Sequence, residues 1–431
     1  MSKPMDLRLE WELVAGARGN ENRATWARLE LMADGKPVTR VLDPRSKSYR
    51  DHILVPVYPV AEWLVTHWWL LFHEPESPGR IGYERRHNLR FGREGYAFPD
   101  LRLSPVGDFV LLEWQPWEAA GGLTFVGSGA VKVERSYLEE VLSDWVEVVV
   151  ARLEQQGITD TLLQDEWAAV QATADDERAF CIAAAQLGQD PYGLSDALAE
   201  RIVQAGQTLP KQWLDEFFSA VGIEQLPDQL DYSLKTREAI QRNPLDLAGI
   251  GALREKTNKL DPKTTPWEQG YEVARWVRQF LALDKQPLAS DEVLASALGV
   301  DALPVVEPGV APPGRWVDAV VEAADAEDHG GFVMASRRPE NRRFAFCRGL
   351  FEYLTDTGYP SALVTVARTE RQKRNRAFAA ELLAPSEWLR EWCAGEFVGP
   401  EELGDAADVL GVSTEVVHRQ LENHRIARLT D

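Results

Sequence analysis

The feature that most constrains this chain is a change in the spacing of its apolar residues near position 136. Upstream, segments such as 8–14, 25–32, 109–114 and 123–125 alternate apolar with polar residues or run apolar for a few positions, the habit of strands. Downstream, starting with SYLEEVLSDWVEVVVARLEQQG, apolar residues recur every three or four positions, which places them along one side of a helix. No single sheet or bundle satisfies both periods. At 431 residues the chain also exceeds one ordinary domain. The sequence therefore predicts an α+β multidomain protein: a β-rich, Trp-rich domain over 1–150, a helical domain over 151–303 and a third domain over 304–431.

In the first region, turn signals stand at Asp34-Gly35, Pro78-Gly79 and Gly121-Gly122, and one helix is predicted over 59–72. Eight of the 15 tryptophans fall here; packing between sheet and helix is their expected use, ahead of an aromatic ligand slot. In the middle region, helices are predicted over 175–187, 194–205, 211–221, 266–283 and 290–298. Breaks fall at Asp190-Pro191, Leu209-Pro210 and Asp261-Pro262. No fixed period supports a solenoid. The segment PVVEPGVAPPG, 304–314, reads as a connector.

The last region carries three motifs in order: RRFAFCRGLFEYL, RNRAFAAELLAPSEWL and LGVSTEVVHRQLENHRI. The series resembles the ImmA/IrrE family of zincin-like peptidases. Arg343-Phe344 match its lead-in to an HExxH helix. Phe378, Ala379, Ala380, Leu382, Leu383 and Pro385 match the segment after its third metal ligand, and Val412-Ser413 match the turn of its closing helix pair. The resemblance implies a zincin-like α+β fold over about 330–427.

The metal chemistry that this family implies depends on two histidines one helical turn apart on one face, with a glutamate between them to deprotonate bound water. Here those positions hold Arg348, Gly349 and Glu352, and the third-ligand position holds Gln372. A guanidinium does not ligate zinc and glycine is no base. None of the seven histidines forms an HxxxH. The expectation is a domain with no catalytic residue, metal or cofactor, in which Arg348 and Glu352, four apart, pair directly across the vacated site with Gln372 beside them. An exposed helical pair worth little is the alternative.

Ten cations lie between 337 and 376: Arg337, Arg338, Arg342, Arg343, Arg348, Arg368, Arg371, Lys373, Arg374 and Arg376. They read either as a positive groove for an acidic peptide, phosphate or nucleic acid, or as a solvated face. Arg343, Arg348, Arg371, Lys373, Arg374 and Arg376 are the partner-binding candidates. Residues 402–427 have helix-turn-helix spacing, with Thr414, His418 and Arg419 the candidate nucleic-acid contacts, although closing the domain is the preferred use.

A net charge of -21 opposes non-specific binding to nucleic acid or anionic membranes. No apolar run is long enough to span a bilayer, and no export signal stands near Met1, so a cytoplasmic location is expected. Cys181, Cys347 and Cys393 are far apart and read as reduced thiols. His67, His73, Glu74 and His87 are the one other imidazole cluster, at spacings unsuited to a shared metal. The functional expectation is a non-catalytic regulator or sensor that binds a protein partner, in stress response, mobile-element control or antiphage defence. The alternatives are a metal-dependent peptidase with an unconventional site and a DNA-binding regulator.

Overall fold

The computed structural model describes the whole chain apart from residues 1–2, 15–18, 44–46, 77–81, 93–94, 120–121, 241–243, 258–259, 261–263, 305–315, 323–328, 335–337, 356–360, 394 and 431. The expectations at Pro78-Gly79, Gly121, Asp261-Pro262 and Arg337, and nearly all of the 304–314 connector, therefore lie outside the described residues. The protein is a mixed α+β chain that divides into two compact units, Met1–Ile202 and Val203–Asp431.

In the first unit, β1 (Met5–Trp11) and β2 (Trp26–Ala33) pair antiparallel, and β3 (Ile53–Pro56) joins the other side of β2. Asp34-Gly35 turns β2 into a short following strand, with positive φ at both residues (49° and 71°), the geometry such tight hairpin turns require. A second sheet is a meander of β4 (Asp100–Val106), β5 (Phe109–Gln115) and β6 (Gly129–Glu134). The predicted helix over 59–72 is two helices, α1 (Tyr58–Thr66) and α2 (Trp68–His73). They part at His67, which leaves helical geometry (φ −111°, ψ 13°) and whose ring Nδ1 bonds the Trp63 carbonyl at 2.8 Å. The long helix α3 (Arg135–Gln155) buries Leu138, Leu142, Trp145, Val146, Val149 and Leu153, the stripe its periodicity specifies. Trp63, Trp68, Trp69, Trp114 and Trp145 are all buried.

The helices do not gather into a middle domain of their own. The helices α4 (Leu162–Ala172) and α5 (Asp175–Gln186) contribute Leu163, Trp167, Val170 and Cys181 to the core of the N-terminal sheets. Beyond Ile202 come α6 (Lys211–Ala220), α7 (Leu226–Ile240), α8 (Ala248–Thr257), α9 (Pro266–Phe280) and α10 (Asp291–Leu298). Of these, α8 to α10 share one core with the C-terminal elements through Leu253, Val273, Val277 and Leu294. Periodicity shows that a helix has an apolar face but not which core receives it.

The second unit is built on an antiparallel sheet. Its order is β7 (Pro244–Asp246), β9 (His329–Met334), β8 (Val317–Glu322) and β10 (Ser361–Thr365). Helix α11 (Pro339–Leu354) lies against it, α12 (Glu370–Leu383) packs beside α11, and α9 packs on α12. Gly270 permits the last approach, since a Cβ there would stand 2.3 Å from the Arg374 carbonyl oxygen. The chain closes with α13 (Ser386–Trp392), α14 (Pro400–Leu410) and α15 (Thr414–Asn423). The cap of α14 at Gly411 has φ 65° and no room for a Cβ beside the Ala289 carbonyl. Among the described residues, no helix is long and apolar enough to cross a membrane.

Candidate functional site

Arg348 sits in the middle of α11 on the side that meets α12, and it is 3% exposed. A buried guanidinium must place its donors or lose several kcal/mol. Here Nε donates to Asn375 Oδ1 at 2.9 Å and Nη1 to Asp318 Oδ2 at 2.6 Å. Nη2 donates to the Thr365 carbonyl at 2.5 Å and to Gln372 Oε1 at 2.6 Å. One arginine thus ties together α11, α12, β8 and β10. Burial lowers its pKa and the carboxylate of Asp318 opposes that shift.

Arg348 and Glu352 do not pair directly as expected from their spacing. Glu352, also buried, accepts from Arg371 Nε at 2.8 Å and from Asn375 Nδ2 at 3.1 Å, so Asn375 stands between the two. The i, i+4 spacing places both on one face, but α12 and β8 supply each with a different partner. Gln372, fully buried, accepts from the Thr365 N–H at 3.0 Å and donates to the Leu363 carbonyl at 2.8 Å, pinning α12 to the edge strand β10. Arg348, Glu352 and Gln372, the residues expected at the HExxH histidine and third-ligand positions, are therefore brought together in one hydrogen-bonded cluster. Gly349 points elsewhere: a Cβ there would stand 2.7 Å from Val321 Cγ2, so its role is close approach of helix to sheet.

Four members of this neighbourhood have no counterpart in the sequence reading: Asp318, Asn375, Thr369 and Glu216. Thr369 caps α12 by accepting from Gln372 N at 3.2 Å and donates to Glu216 Oε1 at 2.7 Å. Burial pushes the Glu216 carboxyl up to about 7 against the opposing influence of Thr369 and Arg371, and its Oε2 has no hydrogen-bond partner among the described residues. A signal existed for two of them. Asp318 is the lone acid inside the apolar run 317–321, and Glu216 shares a turn with Trp213 and Phe217, both fully buried.

The basic cluster is not one solvated face. Arg342 and Arg343 both bond Asp291 at the start of α10, and Arg343, buried, also donates to the Gly411 carbonyl. Arg348 and Arg371 belong to the buried network. Arg374 is half-buried on α12. Lys373 and Arg376 face a groove of about 1050 Å³ bounded by α9, α11, α12 and α15. Arg376 donates to the carbonyls of Thr365 (3.0 Å) and Ala367 (2.7 Å).

Helix α15 packs on α12 through Gln420, which donates to Glu381 Oε2 at 2.9 Å and to the Ala384 carbonyl at 2.8 Å. Of the nucleic-acid candidates, Thr414 opens α15, His418 lies 3.2 Å from Glu422, and Arg419 bonds Glu415 and Glu422 at 2.8 and 3.2 Å. His424 stands 3.2 Å from Glu381, away from His418. In the first unit Glu74 takes Arg86 and His87, His67 takes a backbone carbonyl and His73 takes Arg135, so these imidazoles do not converge. Among the described residues no three His, Cys, Asp or Glu side chains are grouped to hold a metal ion.

Comparison of the chain with protein-family models, with curated proteins and with solved structures gives no match. The ImmA/IrrE likeness rests on the order of its motifs alone.

Proposed function

We propose that the second unit is a non-catalytic relative of zincin-like peptidases and that the protein acts as a regulator or sensor by binding a protein partner. The observation that carries this reading is Arg348. A cation with every nitrogen engaged stands at the residue that the resemblance aligns with the first metal-binding histidine, and it would repel a dication there. Glu352 is held by Arg371 and Asn375, so both of its oxygens already accept a hydrogen bond. The groove beside the network gives a partner somewhere to bind. A DNA-reading role for α15 is disfavoured because Arg419, its chief cation, is neutralised by two glutamates of the same helix.

The test is proteolysis with added zinc. The chain, incubated with zinc and quenched fluorescent casein, is expected to release no signal above a no-protein control. Chelator-sensitive cleavage abolished by Glu352→Gln would show that the unit is a working peptidase.

A further inference from the structure

Two polar groups on the groove walls lack the partners their chemistry demands. Arg376 donates through Nη2 to two backbone carbonyls, and no carboxylate contacts it among the described residues. Burial, then the neighbouring Arg348 charge, lowers its pKa to about 9, and Asp318 and Glu216 oppose that shift only from a distance, without touching the guanidinium. Gln420 is fully buried, and its amide nitrogen is committed to Glu381 and Ala384, which fixes the other atom as oxygen. That oxygen, Oε1, accepts from no donor among the described residues. Lys373 stands one turn before Arg376 and also faces the groove, while Trp267, about half exposed, forms part of its rim.

We propose that this groove binds an acidic peptide segment of a partner protein, with a carboxylate on Arg376 beside Lys373 and a backbone N–H on Gln420 Oε1. The assignment rests on the non-catalytic reading above and names the ligand class of the same unit. A carboxylate supplies the missing counter-charge with two acceptor oxygens that match a guanidinium fork. Gln420 discriminates between polyanions. It requires a donor, which a peptide offers at nearly every residue and a phosphodiester backbone does not. Glu268, Glu340 and Glu415 on the groove walls would also repel a continuous row of phosphates.

The test is selection of random decapeptides displayed on phage against the full chain, followed by fluorescence anisotropy of the enriched peptide. The expected result is a consensus with Asp or Glu at a fixed position. Binding should weaken at least tenfold when that acid becomes its amide, or in Arg376→Gln. Because Arg376 also holds two carbonyls, Ala380→Phe, which fills the groove from a half-buried position, is the second variant and is expected to abolish binding. A consensus lacking acids, enrichment no better than on Ala380→Phe, or displacement of the peptide by single-stranded DNA overturns the inference. Zinc is measured on the same preparation. Stoichiometric zinc defeats the non-catalytic reading, whereas a zinc-free protein that selects no acidic peptide defeats the acidic-peptide assignment alone.

Discussion

Replacing Arg348 with methionine keeps a long apolar side chain and removes the guanidinium, and the structure sets the size of the effect. Four acceptors lose a donor, but not equally. Asp318, whose side chain is 32% exposed, regains water, so that ion pair is discounted for screening. The Thr365 carbonyl keeps Arg376, and Gln372 Oε1 keeps the Thr365 N–H. Asn375 Oδ1 is left buried with no other donor among the described residues, at about 1–3 kcal/mol, and the lost charge-assisted bonds add to this. A total of about 3–5 kcal/mol is expected, in the range measured when one partner of a buried ion pair is deleted. That is a large part of the stability of one domain. The assay is urea unfolding monitored by hydrogen exchange in β10 and α12, which separates the second unit from the first. A loss below about 1 kcal/mol would refute the claim that Arg348 organises this unit.

Other consequences follow from single contacts. Gly349→Ala forces a methyl group to within 2.7 Å of Val321 Cγ2 and is expected to cost about 1–3 kcal/mol in denaturant unfolding; a neutral result would mean that helix and sheet are less closely packed than described. Glu216 titrates at about 7 in the folded protein, above a free carboxyl. The folded state therefore holds its proton longer, and the second unit should lose stability as pH rises from about 4.5 to 7, a dependence that Glu216→Gln removes. His73 behaves oppositely: burial, then Arg135 and Arg178, lowers it to about 3, so the first unit should lose stability as pH falls from about 6.5 towards 3. A second unit that gains stability as pH rises across 4.5–6.5 would contradict the Glu216 assignment, and a first unit that loses it would contradict the His73 assignment.

The element types were legible because periodicity reports which face a strand or helix buries. The stripe of α3 lies where the sequence places it. The partition into units was not legible, since apolar faces on α5 or α9 carry no mark of the core they join. The site was half legible. Arg348, Glu352 and Gln372 were recognised by their places in the motifs and do meet, but their pairing depends on Asp318 and Asn375, separated from Arg348 by 30 and 27 residues. Helical spacing alone offered Glu352 to Arg348, and the neighbouring elements supplied better-placed acceptors.

The measurement that tests the central claim most directly is the metal content of the purified, untagged protein by mass spectrometry, prepared without chelator. With the buried Arg348 cation at the position proposed to correspond to a ligand, well under about one zinc in ten chains is expected. One zinc per chain, lost in Glu352→Gln, would contradict the account.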